Sequence, residues 1–239
     1  MRMRVLAGFL VACALLGSHS VALGQSAPPQ STLSESAADA LKAKRYQEAA
    51  DQYRRLVLID PKQWRSQRGL GDARYYLGQY DDALKSYDAA ILLLRGAAPA
   101  TLTPQQRDIE MSNAYFAEFN ANAKLKRWTD ATTAGEKGAM LSPYQGVAYF
   151  NLCAGYYNMG EMERALAVCD KSIALEPTRA DAYIVKGSVM FGLGKPDADG
   201  KWRVAPGTIE ALRKYLELAP DGGHRADAQA MIDSLAKPR

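Results

Sequence analysis

The sequence repeats itself every 34 residues. Ala49 and Ala83 lie 34 apart, as do Ala131 and Ala165, and a large side chain precedes each at one offset: Tyr46, Tyr80, Trp128 and Met162. Pro61, Pro143 and Pro177 close the units, and Gly78, Gly160 and Gly194 break them in the middle. A fixed period of this length excludes one closed globule. It predicts stacked helix–turn–helix units, because no such unit buries its own apolar face and each is stabilised by the next.

The pattern predicts an all-α solenoid of about five repeats, at about 30–63, 64–97, 112–145, 146–179 and 180–220, with a capping helix at 224–236. Thr32 and Glu35 read as a capping box that starts the first helix, after a flexible leader at 25–31. That helix should run to about Ala43, and the next from Tyr46 to Ile59, where Asp60-Pro61 stops it. Arg95 stands where the second unit should close on a proline, and Gly96 to Leu102 interrupt the period. Thr103, Pro104 and Gln106 restart it with a cap, a proline suited to the first helical position and a capping-box partner. The spacing from Ala83 to Ala131 is 48, so 14 extra residues belong to this loop and a lengthened helix, about Pro104 to Leu125. Gly135 and Gly138 should weaken the helix that follows. Nine extra residues fall within Lys195 to Pro206, where Asp199-Gly200, flanked by Trp202 and Val204, signals a tight turn.

The ends and the charge narrow the function classes. Arg2 and Arg4, an apolar run from Val5 to Leu16 and the small-x-small pattern Ala22-Leu23-Gly24 predict a secretory signal at 1–24, cleaved before Gln25. An alternative is lipidation at Cys13 within Leu10-Val11-Ala12-Cys13. The apolar run is shorter than the ~20 residues of a membrane-spanning helix, and no second run follows. The charge of +4 falls to +2 without Arg2 and Arg4, and no basic block marks a nucleic-acid surface. Past the signal, only Cys153 and Cys169 remain. Both fall on buried columns of the fourth unit. An exported chain allows a bridge, yet the columns look offset by roughly a helical turn, which favours two small core residues.

Antiparallel helices pack at ~8–10 Å between axes where small residues meet at the crossing. Gly71, Gly187, Ala49, Ala83, Ala131 and Ala165 suit that place, with Tyr53, Tyr87, Leu152 and Leu175 filling the adjacent holes. These columns resemble those of the tetratricopeptide repeat family, over Gln30 to Pro220. Its Leu-Gly pair appears as Leu70-Gly71; Cys153 replaces the glycine in the fourth unit, and Glu118-Phe119 replace the pair in the third. The resemblance implies that first helices line a concave groove for a peptide segment of a protein partner. Carried over by spacing, Arg65, Arg68, Asp72, Tyr75 and Tyr76 should face it, with Phe116, Asn120 and Lys124 from the third unit. Phe150, Ala154, Tyr157 and Asn158 would come from the fourth, and Ile184, Ser188 and Phe191 from the fifth. Aromatic side chains with nearby Arg and Asn are types that anchor interfaces. The clamp by which some members hold C-terminal carboxylates is not matched: Phe116 stands where it needs lysine, and Asp181 and Val185 where it needs basic residues.

No catalytic, cofactor or metal constellation emerges. His224, the one histidine after the signal, starts the cap helix with no nucleophile motif around it. Gly194 to Lys201 resembles a phosphate loop, but five residues separate Gly194 and Gly200 where four are required, and Trp202 stands where Ser or Thr would bind magnesium. Asp197-Ala198-Asp199-Gly200 lacks the later ligands of a calcium loop, and Cys153, Cys169 and His224 lack zinc spacing. The reading is therefore an exported, non-enzymatic, protein-binding scaffold, periplasmic or secreted. The alternative is a lipid-anchored assembly factor for a pilus or outer-membrane complex. A remoter one is an enzyme or ligand binder using the 195–206 insertion.

Overall fold

A computed structural model describes residues 29–96 and 102–236. The signal at 1–24, the start at Gln25, Cys13 and most of the 96–102 interruption lie outside the described residues. Five helical hairpins follow in order: α1 (Gln30–Lys42) with α2 (Tyr46–Ile59), α3 (Trp64–Tyr76) with α4 (Tyr80–Arg95), α5 (Pro104–Lys124) with α6 (Trp128–Leu141), α7 (Gln145–Met159) with α8 (Met162–Leu175), and α9 (Ala180–Gly192) with α10 (Thr208–Leu218). Helix α11 (Arg225–Ala236) caps the stack. Between α9 and α10, β1 (Lys195–Pro196) pairs antiparallel with β2 (Trp202–Arg203).

Each helix packs on its hairpin partner and on the next hairpin. First helices also touch one another, α1 on α3, α3 on α5 and α7 on α9, whereas second helices make no comparable contact among the described residues. A stack that is tighter along one side curves toward it, so the odd-numbered helices line the inner face. The buried side chains form a chain of clusters, the largest running from Ile91 to Val189 through the third and fourth repeats.

The hairpin crossings explain the small residues. Gly71 meets Tyr87, Phe119 meets Gly135, Cys153 meets Cys169, and Gly187 meets Leu212. The Cys pair is separated by 16 residues; the first two pairs share that spacing, and the last adds the nine-residue insertion. At three crossings one partner is glycine and the other large. Cys153 and Cys169 instead form a disulfide, with Cα atoms 5.1 Å apart. This corrects the expected offset. The two cysteines lie at nearly equal distances on either side of the Gly160 turn, which sets them level in an antiparallel pair.

Gly135 therefore has a packing role. A Cβ there would meet Leu152 Cδ1 at 2.5 Å and Phe119 Cδ2 at 2.8 Å. Helix propensity alone makes Gly135→Ala favourable by about 1 kcal/mol, but overpacking a closed core costs ~1–3 kcal/mol. With both neighbours buried, overpacking wins. We expect a net loss of about 1–2 kcal/mol in urea unfolding; a stabilised variant would mean that the crossing is loose.

Three other expectations change. Helix α1 starts at Gln30 behind Pro29, with no side-chain cap, so Thr32 and Glu35 lie inside the helix and the leader ends before residue 30. Leu33 N–H already bonds the Pro29 carbonyl at 3.0 Å, which closes the first turn without Thr32. Leu175 fills no hole; it is half exposed at the end of α8. The Thr103–Gln106 box is present in both directions, and α5 extends over 21 residues. In the 195–206 excursion, Asp197 accepts the N–H groups of Asp199 and Lys201 and pairs with Arg203 Nε at 2.6 Å. Its carboxylate oxygens thus organise the turn itself.

Candidate functional site

Two cavities open among the first helices. The first, about 440 Å³, gathers Arg68, Asp72, Tyr75 and Tyr76 from α3 and Asn120 from α5. Lys42, Lys44, Tyr46 and Tyr87 complete its wall. Tyr46 stacks on Tyr76 with ring centroids 4.7 Å apart, and Tyr75 meets Tyr76 and Tyr80 edge-on. Arg68 bridges Glu110 at 2.7 Å across the repeat junction and approaches Asp72 at 3.9 Å. Tyr87 donates its hydroxyl to Asp72 at 3.1 Å. Burial raises the Asp72 carboxyl above its ordinary value, against the pull of Arg68 and the Tyr87 hydrogen bond. The Tyr87 phenol is pushed far up, by burial first and then by Asp72, so it stays a neutral donor. This wall offers aromatic faces around a held polar pair, a surface for an extended backbone and its apolar side chains.

The second cavity, about 780 Å³, lies between α7, α9 and the cap helix. Ala154, Tyr157 and Asn158 face Ile184, Ser188 and Phe191 across it. His224, Asp227 and Met231 of the cap close the far side. The His224 backbone N–H donates to Tyr215 Oη at 3.0 Å, which ties the start of the cap to α10. Ile184 is also part of the buried cluster beneath the cap.

The remaining predicted residues lie elsewhere. The Arg65 guanidinium covers the Trp64 ring at 4.5 Å. Phe116 packs on the α6 backbone at Gly138 of its own hairpin partner. Phe150 lies under the Arg179 guanidinium, 5.5 Å from ring centre to Cζ, at the α8–α9 connection. Lys124 lines neither cavity. Sequence spacing missed the cap residues and Lys42, Lys44 and Tyr46. The repeat alignment assigns residues only in the first helices of the second to fifth repeats, whereas these walls also include the end of α1, a turn, two second helices and the cap.

No family model and no curated protein matches the chain. Solved structures do. MamA resembles it with a TM-score of 0.59 at 20% identity, over 83% of this chain and 94% of that one. MamA from Desulfovibrio magneticus RS-1 gives 0.60 at 16% identity, over 82% and 98%. YrrB, a TPR protein with an unusual peptide-binding site, gives 0.55 at 15% identity, over 83% and 90%. The chain has the tetratricopeptide-repeat fold. Its departures from the repeat pattern then acquire positions: the Glu118-Phe119 substitution falls on α5, the cysteine pair on the fourth hairpin and the ribbon inside the fifth.

Proposed function

We propose that this chain is an exported scaffold that holds a peptide segment of a protein partner along its inner face. One observation carries the reading: Arg68, Asp72, Tyr75, Tyr76 and Asn120, from two repeats, converge on one cavity of that face. The second cavity continues the same face toward the cap. The peptide-binding site of the similarly folded YrrB supports this mode of binding. Export is supported by the N-terminal signal pattern and by the Cys153–Cys169 bridge, since disulfides persist in oxidising compartments. Among the described residues no helix is long and apolar enough to cross a membrane.

Aromatic anchors in such grooves carry ~2 kcal/mol or more each. Each single variant, Tyr76→Ala or Tyr157→Ala, should therefore weaken partner capture by about 30-fold and the double variant by up to about 1,000-fold, with unchanged helicity by circular dichroism. Photo-cross-linkers at Asn120 and Asn158 should label one recurrent partner peptide. Undiminished capture by the double variant would remove the groove from consideration.

A further inference from the structure

Glu118 occupies a register position that holds an apolar side chain in the second and fourth repeats. Its counterparts Leu70 and Leu152 are buried. Glu118 is itself only 9% exposed, and its Oε1 is buried with no hydrogen-bond partner. It lines a cavity of about 380 Å³ on the outer side, between α4, α5 and α6, together with Asp81, Lys85, Asp88, Arg127 and Asp130. The basic groups around it are engaged elsewhere. Lys85 pairs with Asp82 and Arg127 with Asp81, each at 2.8 Å. Arg95 donates to the Tyr115 hydroxyl, and Lys137 sits over the Tyr115 ring. Among the described residues, Asp88, Glu118 and Asp130 have no cationic partner within ion-pair distance.

The fifth repeat shows what these positions otherwise hold. Allowing for the insertion between the second and third units, Lys186 stands at the register of Glu118, and Asp170 at the register of Asp88. There Lys186 Nζ lies 2.6 Å from Asp170. At the third repeat a second acid stands where the fifth has its lysine, so the acidic partner remains and the place of the cation is open to a group from outside. Among the described residues no group of three ligating side chains could hold a metal ion, which favours an organic cation.

We propose that this cavity receives a protonated arginine or lysine side chain of a partner protein, docked on the outer face across the junction of the second and third repeats. The site is built from second helices and the buried edge of α5, so it stands independently of the groove. Burial, and after it the neighbouring Asp88 carboxylate, push Glu118 up to about 8, against the pull of Lys137 and Arg95. An entering cation favours the ionised carboxylate and expels its proton. Binding should therefore tighten as pH rises from 7 to 9.

The probe is acetyl-Gly-Arg-Gly-amide, titrated into the purified protein and followed by amide resonances, with the citrulline peptide as its neutral isostere. The arginine peptide should shift resonances of α4, the C-terminal half of α5 and the start of α6; the citrulline peptide should not. Asp88→Asn, an exposed change, should weaken binding about tenfold, whereas Asp72→Asn in the groove should not. Glu118 is about one-tenth ionised at pH 7 and mostly ionised at pH 9, so affinity should rise about tenfold between them. That rise should vanish in Glu118→Gln. Glu118→Lys should reproduce the Lys186–Asp170 pair against Asp88, abolish peptide binding and raise the thermal midpoint. Equal binding of the citrulline peptide, shifts confined to other helices, or binding of free spermidine without the peptide would each overturn the proposal.

Discussion

Glu118→Gln should stabilise the protein at pH 8 to 9 and leave it nearly unchanged at pH 5. The parent's carboxyl titrates at about 8 in the folded chain against an ordinary value of 4.5. Between those values the folded state keeps a proton that the unfolded state has released. Stability then falls as pH rises from about 4.5, and the fall ends once pH passes about 8. A shift of this size corresponds to on the order of 5 kcal/mol. Asp72, also raised by burial, adds a slope of the same sign just above its ordinary value, in parent and variant alike. The quantity to measure is therefore the difference between the two proteins. In urea unfolding at pH 5, 7 and 9 that difference should grow steadily in favour of the glutamine variant. A constant difference would mean that water reaches Glu118 and that burial does not hold its proton.

The periodicity made the helix boundaries legible. Tyr46–Ile59 and the lengthened α5 follow from Asp60-Pro61 and from the Thr103-Pro104 start, because proline and a capping box act within one turn of themselves. Thr32-Glu35 has the same pattern and does not cap, since nothing in the pattern tells whether the preceding turn is already helical. The repeat also set Arg68, Asp72, Tyr75, Tyr76 and Asn120 in the first cavity and Tyr157, Asn158, Ile184 and Phe191 in the second, though not the end of α1. It could not place Phe116, which packs on Gly138 of its own hairpin, or the walls contributed by the cap.

Glu118 marks the sharper limit. A polar residue in an apolar column was visible in the sequence as a degenerate repeat. Its meaning depends on Asp88, from the preceding hairpin, and on which nearby cations are already engaged. Those facts are pairings between repeats, and a column read down the sequence holds only one member of each pair. The crossings behave likewise. Gly71 needs Tyr87, and Gly135 needs Phe119 and Leu152; each glycine is intelligible only beside its partner. Gly135 and Gly138 weaken α6 as isolated residues and close its packing as neighbours of Phe119, Leu152 and Phe116.

Removing the Cys153–Cys169 bridge should destabilise the chain by about 3 kcal/mol, the chain-entropy value for a loop of this length. For a protein of this size that is a fall of about 10 °C in thermal midpoint. Cys153→Ala/Cys169→Ala and reduced parent protein should agree, because both leave small, fully buried groups at the crossing. The bridge also has a position in the array. It ties α7 to α8 between the third and fifth repeats, at a crossing where no glycine admits a large partner. In a solenoid each repeat is supported only by its neighbours, so a loosened fourth hairpin exposes both flanking interfaces. The variant should therefore unfold over a broader transition, with early loss of protection in α7 and α8 by hydrogen exchange. With both sulfurs buried, reductant should act on the parent only as fast as that hairpin opens. Unfolding of the double variant at the parental midpoint, with the parental sharpness, would show that side-chain packing at this crossing suffices and that the bridge contributes nothing to the array.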